Sequence, residues 1–299
     1  MPIAASICLA ATMIASAPPA AAAPAAPPAA AAAAKANTLT PEEAKAGWIL
    51  LFDGKDAGAH LRGYRKTEMP KEWAVEDGTI VLRGKGGDLV TKDEYADFEF
   101  SIDWKIAEGG NSGIMWRVTE DHTYPWETGL EMQVLDDTKH PDGKSRLTSA
   151  GACYALYPAP EGAVKPVGQW NTARIVAVGP KITYELNGVK TAEFDMSSVE
   201  YKALVAGSKF AAMPDFGQRA KGHIALQDHG DVVAYRNIKI RPIGGAAGAP
   251  ATKSADGAAK KAAGGESKSV TTPKGGAPAG TAPSGTAPAG DAPAKKSAP

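Results

Sequence analysis

The sequence predicts an all-β fold, a two-sheet antiparallel jelly-roll sandwich with disordered termini. From Gly47 onward, short runs rich in β-branched and aromatic residues recur at roughly ten-residue spacing, divided by Gly, Asn, Asp and Pro. All six Trp, all eight Tyr and all six Phe lie between residues 38 and 243 of the 299-residue chain. Helical periodicity is scarce, so the apolar bulk of that middle segment has to be buried by sheets.

The chain divides into three parts. Residues 1–36 are mostly Ala, Pro and other small residues, and 244–299 are Ala, Gly, Pro, Ser, Thr and Lys without an aromatic residue. Neither end has the apolar area to offset the entropy of ordering it. The stretch Ile3–Ala17 is too short to span a bilayer but has the length of a secretory signal's apolar region. It predicts an extracytoplasmic protein, periplasmic or secreted, although no Lys or Arg precedes the apolar run. Cys8 leaves with such a signal, so Cys153 has no intramolecular partner and is expected to be buried. Seven Lys against three acidic residues leave the tail at +4 in a chain of zero formal charge. The folded part is therefore acidic, which argues against nucleic acid as its partner. The tail reads as a flexible spacer that could touch wall or membrane polymers.

In chain order the predicted strands are Trp48–Phe52, Trp73–Glu76, Thr79–Leu82, Phe98–Ile106, Gly113–Val118, Leu130–Leu135, Thr172–Val178, Lys181–Leu186, Val189–Phe194, His223–Asp228 and Val233–Arg241. Asn187-Gly188 marks a two-residue hairpin, because both central positions of a type I′ turn need positive φ. Asp77-Gly78 reads the same way. The segment Thr138–Tyr157 reads as a long excursion over one sheet edge, the kind of loop that carries binding groups.

Strand alternation sorts the candidate functional residues. Leu130, Met132 and Val134 form a core set that leaves Glu131 and Gln133 outward. Ile114, Trp116 and Val118 likewise leave Met115 and Arg117 outward, and Ile224 and Leu226 leave Gln227 and His229 outward. If these strands are neighbours, Arg117, Glu131, Gln133, Gln227 and His229 converge on one surface, with Asn111 at its rim. Planar amides, guanidinium and carboxylate match the paired hydroxyls of a sugar, and Trp116 is the aromatic candidate for a pyranose contact despite its core-facing parity. A solvated sheet face with a cross-strand Arg–Glu pair is the plain alternative. His140 stands in a polar loop that could reach the same surface. Glu131, Asp137, His140 and His229 have the chemistry of metal ligands, so a divalent ion is an open option, but their spacing matches no dedicated motif. Ser112 lacks a nucleophile elbow, which excludes a serine hydrolase of that type.

Taken together, Trp48-Ile-Leu-Leu-Phe-Asp-Gly54, Trp73-Ala-Val-Glu-Asp-Gly78, Gly110-Asn-Ser-Gly-Ile114, Glu131-Met-Gln-Val-Leu-Asp-Asp137, Gln169-Trp-Asn171, Leu186-Asn-Gly188, Gly222-His-Ile-Ala-Leu-Gln-Asp-His-Gly230 and Arg236-Asn-Ile238 resemble the 3-keto-disaccharide hydrolase family. The resemblance runs from about Gly47 to Pro242. It implies a concanavalin A-like, laminin-G-like jelly roll with a concave sugar-facing sheet, and a hydrolase or lyase acting on glycosides oxidised at C3.

The residues fit that chemistry better than ordinary glycoside hydrolysis. The outward face of the Glu131 strand reads Glu131, Gln133, Leu135, without a second carboxylate. Asp137, six residues on, would lie roughly 20 Å away, beyond the ~5 to 9.5 Å that two-carboxylate hydrolysis requires. A 3-keto group acidifies the C2 proton and lets the C1 substituent leave through an enolate, so one base and one enolate stabiliser suffice. The expected roles are His229 or Glu131 as base, Arg117 or a metal ion at the oxyanion, and His140 as proton donor to the leaving oxygen. Asn111, Gln133, Asp137 and Gln227 are expected to hold hydroxyls. The alternative from another class is a non-catalytic carbohydrate-binding module.

Overall fold

The computed structural model describes residues 35–244. The predicted signal segment with Cys8 and the Lys-rich tail lie outside the described residues. The chain enters through Asn37, whose main-chain N–H and side-chain oxygen exchange hydrogen bonds of 2.6 and 2.8 Å with Asn237. A short helix α1 (Pro41–Lys45) follows, closed by a capping box between Thr40 and Glu43.

The strands are β1 (Ile49–Leu50), β2 (Leu61–Gly63), β3 (Trp73–Glu76), β4 (Thr79–Leu82), β5 (Leu89–Thr91), β6 (Phe98–Ile106) and β7 (Asn111–Val118). They continue with β8 (Leu130–Leu135), β9 (Asn171–Val178), β10 (Lys181–Leu186), β11 (Val189–Asp195), β12 (His223–Leu226) and β13 (Val233–Pro242). A second helix, α2 (Val199–Ala206), lies between β11 and β12. The larger sheet runs β11-β10-β9-β6-β13-β4-β3, with β1 also paired to β13. The smaller runs β2-β5-β12-β7-β8. Every pairing is antiparallel, and the molecule is the expected jelly-roll sandwich.

Both predicted hairpin turns form, with positive φ at Asn187 and Gly188 and at Asp77 and Gly78. The main core lies between the sheets and contains Trp104, Trp116, Tyr184 and Tyr235, all fully buried. Cys153 is buried there, and desolvation pushes its thiol well above the usual range, so it is an inert packing residue. β2 and β5, three residues each, have no counterpart among the predicted strands, because they are too short to display alternation. The excursion after β8 returns along that strand's free edge. Gly151 and Tyr154 donate to the carbonyls of Gln133 and Glu131 at 2.9 and 3.0 Å, and Gln133 donates to Ala152 at 3.1 Å. No helix among the described residues is long and apolar enough to cross a membrane.

Candidate functional site

Antiparallel register assigns residues to rows across the outward face of the smaller sheet. Arg62 opposes Val90, Val90 opposes Ala225, Ala225 opposes Met115, and Met115 opposes Glu131, forming one row across five strands. Val90, Met115 and Ala225 join Tyr64 and Val118 in a small apolar cluster apart from the main core, with half-buried Trp126 packed against it. In the adjacent row Gly113 opposes Gln133, and Gln227 N–H donates to the Gly113 carbonyl at 2.9 Å. Continuing the β5–β12 register sets Asp88 beside Gln227, and Asp228 N–H donates to the Asp88 carboxylate at 2.8 Å. A third row begins where Asn111 opposes Leu135, next to His229 just past the end of β12.

The middle row is where polar groups collect. Glu131 lies across β7 above Gly113: a β-carbon on Gly113 would stand 2.1 Å from one carboxylate oxygen and 2.8 Å from the carboxyl carbon. Gly113 is therefore the empty floor on which this carboxylate rests. Gln133 is 1 % exposed, yet neither its amide nitrogen nor its amide oxygen has a hydrogen-bond partner, and the Asn111 side-chain oxygen is also buried and unpartnered. Buried amides without partners are costly unless a ligand completes them, and hydroxyl groups suit both ends of an amide. Beneath them, the Ser112 hydroxyl donates to the Gln227 carbonyl at 2.7 Å and meets the Tyr235 hydroxyl at 2.8 Å, tying this floor to the larger sheet. Burial raises the Asp88 carboxyl to about 6, against the main-chain hydrogen bond from Asp228, which lowers it.

Two imidazoles meet at the Asn111 end of the face. The His140 and His229 ring centres are 6.1 Å apart and nearly perpendicular. His140 caps the turn Pro141–Lys144 and accepts from Asp142 N–H through Nδ1 at 3.1 Å, so in the neutral ring the proton sits on Nε2. His229 turns Nδ1 toward Asp231, 3.5 Å away, and the same Asp231 oxygen accepts from Asn111 N–H at 3.0 Å. That carboxylate fixes the orientation of the His229 ring and leaves Nε2 on the side away from Asp231.

Three predicted site residues stand elsewhere. Arg117 has φ of +53°, and a bulge separates the Met115–Ala225 and Val118–His223 pairs. The extra residue reverses the parity of β7, so Val118 joins the outward cluster while Arg117 reaches toward the larger sheet. There it donates to the Ala96 carbonyl at 2.9 and 3.0 Å and to the Gly179 carbonyl at 2.9 Å, beside Asp97 at 3.3 Å. Trp116 is wholly buried and donates to the Tyr184 hydroxyl at 2.6 Å, so it offers no ring to a ligand. Asp137 accepts from Ala150 N–H at 2.7 Å with Arg146 at 3.5 Å, and so braces the excursion after β8. Desolvation raises its carboxyl pKa, opposed by those two contacts.

The sequence reading passed over Asp88, Asp231 and Trp126. Asp88 precedes a strand too short to recognise, and Asp231 acts only through the histidine two residues before it. Trp126 lies in the loop before β8, stacked on exposed Tyr124 with ring centres 5.0 Å apart. Its contact with the outward cluster, which also contains Tyr64, sets an indole ring on the same face as the polar row.

The donor atoms of Glu131, Asp137, His140 and His229 do not gather into one metal-sized group. Among the described residues, only Asp121, His122 and Asp215 bring such atoms within 4.8 Å of one another. Arg219 already stands between those two carboxylates, at 2.6 and 3.2 Å.

Residues 47–241 match the model of the 3-keto-alpha-glucoside-1,2-lyase-like domain. The chain is 32% identical over 227 residues to a 3-keto-disaccharide hydrolase of Bacteroides thetaiotaomicron, covering 65% of this chain and 78% of that protein. A Parabacteroides distasonis protein provisionally described as a glycosyl hydrolase, solved at 1.70 Å, superposes with a TM-score of 0.66 at 35% identity, covering 70% of this chain and all of that one. A second such protein from the same organism gives a TM-score of 0.53 at 30% identity, covering 66% and 99%.

Proposed function

The chain belongs to the 3-keto-alpha-glucoside-1,2-lyase-like domain family, and from that premise we propose that it cleaves 3-keto-glycosides by elimination, with Glu131 as the base. The observation that carries this is the Glu131 carboxylate laid on Gly113, with the His140 and His229 rings 6.1 Å apart at the next row.

The 3-keto sugar lies over Gly113 and Gln227, its hydroxyls completing the orphaned amides of Gln133 and Asn111 and the carboxylate of Asp88. The C2–H bond breaks toward Glu131, and its electron pair moves into the C3 carbonyl as an enolate. The Nε2–H of His140 faces that oxygen and replaces Arg117 in the stabilising role. The electron pair then returns to form C1=C2 as the C1–O bond breaks, and the leaving oxygen takes a proton from His229. Asp231 orients that ring at the exposed rim, where an aglycone can depart. Addition of water to C1, with its proton taken up by His229 and the proton on Glu131 returned to C2, makes the net reaction hydrolysis and restores both side chains. Release before that step makes it a lyase reaction. Every proton transfer is assigned to a side chain of this chain, and no step is routed through a metal ion.

Trp126 supplies the apolar contact for a pyranose face. The apolar stretch at Ile3–Ala17 supports an extracytoplasmic setting for this catabolic step. Incubating the enzyme with a 3-keto-disaccharide and its unoxidised parent in deuterated buffer tests the assignment. Cleavage of the keto form alone with deuterium at C2, abolished in Glu131→Gln, is the expected result. Retention of an unoxidised glycan without exchange or cleavage of either sugar would leave a binding module instead.

A further inference from the structure

The row that ends in Glu131 on β8 begins on β2 with Arg62, at the mouth of a second cleft. This cleft, of about 570 Å³, is lined by Arg62, Arg65, Lys66, Thr67, Lys92 and Glu120. Four cations face one carboxylate, leaving the lining at +3. The single carboxylate is fully engaged: Glu120 accepts two hydrogen bonds of 2.7 Å from Arg62 and one of 2.6 Å from the Arg65 main chain. Arg62 accordingly holds its carboxyl below the usual range.

The other cations are held by neutral groups. Lys66 donates to the Gly86 carbonyl at 2.8 Å, Lys92 donates to the Gly58 carbonyl, and the Arg65 guanidinium reaches the His122 carbonyl at 3.3 Å. Such tethers fix each charge without cancelling it. The positive field is therefore held in place and open to an anion, on the same outward face as the proposed site. The two ends are four strand spacings apart, about 19 Å, which is room for several sugar units.

We infer that the Arg62–Arg65–Lys66–Lys92 cleft is a distal subsite for an acidic sugar, one bearing a carboxylate or a sulfate ester, on the same glycan whose oxidised unit is cleaved at Glu131. The inference rests on the proposed function for the identity of that glycan, but binding in the cleft can be read without turnover. Guanidinium and ammonium groups recognise both oxyanions, so the probes must separate them.

Amide shifts of the isotope-labelled full chain would be followed by NMR on titration with D-glucuronate, glucose 6-sulfate, glucose and inorganic sulfate. The variant Lys66→Gln/Lys92→Gln, altered at two exposed positions, is measured in parallel with cleavage of a neutral 3-keto-disaccharide. One or both acidic sugars should shift the Arg62–Thr67 and Lys92 amides, glucose should not, and binding should weaken about tenfold in the variant and again as salt rises past the screening range. Whichever acidic sugar binds more tightly identifies the substituent. Equal binding of glucose, or unchanged binding in the variant, overturns the inference. So does inorganic sulfate binding as tightly as the sugars, since that describes an adventitious ion only. If the cleft behaves as expected but the neutral keto-disaccharide is not cleaved by the wild type, the proposed function fails while the subsite stands. The converse result removes the subsite alone.

Discussion

Gly113→Ala tests whether the position of the Glu131 carboxylate governs turnover. An alanine β-carbon would sit 2.1 Å from the nearer carboxylate oxygen, 2.8 Å from the carboxyl carbon and 2.9 Å from the γ-carbon, whereas ordinary contact begins near 3.4 Å. The carboxylate must retreat by more than an ångström. Gly113 has no positive φ, so alanine is acceptable to the main chain. The atoms in the way belong to a side chain that can swing outward, and replacing Gly with Ala removes about 0.4–1 kcal/mol of unfolded-state entropy. Stability should stay within about 1 kcal/mol, or roughly 2–4 °C in Tm for a domain of this size.

Catalysis should respond very differently. A misplacement of about 1 Å can cost on the order of 10²-fold, equivalent to about 2.7 kcal/mol of barrier. The assay is kcat on a 3-keto-disaccharide, with exchange at C2 and Tm measured on the same preparation. Adding Gly113→Ala to Glu131→Gln should cost little further, because both act on one group. Wild-type kcat in Gly113→Ala at unchanged Tm would refute the assignment of the base. A Tm loss of more than about 10 °C would show instead that the sheet yields rather than the side chain.

Other perturbations separate the remaining roles. Asp88 has a folded-state carboxyl pKa of about 6 against an ordinary value of 3.8, so the folded protein holds its proton where the unfolded chain has lost it. Stability from this group is greatest below about 4, falls as pH rises to about 6, and is level above. Asp88→Asn, which keeps the acceptor for Asp228 N–H, should therefore raise Tm at pH 8 but not at pH 4, while weakening substrate binding. Equal Tm changes at both pH values would remove the explanation by burial. Trp126→Ala should raise KM several-fold with a smaller effect on kcat, and a selective loss of kcat would place it closer to the reacting atoms. Arg117→Met leaves the Ala96 and Gly179 carbonyls without their donor and should cost about 2–4 kcal/mol of stability. Surviving folded enzyme should keep its kcat, and a loss of several powers of ten without destabilisation would restore Arg117 to the oxyanion.

Much of the fold is legible because the long strands obey simple rules. β9 and β10 show period-two burial, and Asn187-Gly188 and Asp77-Gly78 supply the positive φ their turns need. β2 and β5 escape because three residues contain barely one period, yet they complete the sheet beneath Asp88 and Arg62. The site is only partly legible for a related reason. Glu131 and Gln133 lie in an unbroken strand, where parity is preserved from end to end, so their outward placement could be read directly from alternation.

Arg117 shows where parity ceases to be a guide. Its left-handed backbone inserts one residue into β7 opposite β12, and every side chain beyond it changes face. Arginine is a poor marker of such a bulge, since the residues that signal positive φ in sequence are Gly, Asn and Asp. The bulge also has a structural use. It turns Arg117 into a clasp on the Ala96 and Gly179 carbonyls, and it returns Val118 to the apolar cluster beside Met115 and Ala225. The same irregularity that hides Arg117's place thus carries its guanidinium to the larger-sheet side, away from the face that bears Glu131. A base that must accept a proton from carbon gains from this, because a guanidinium in contact would hold the carboxylate in its ionised form and weaken it as a base.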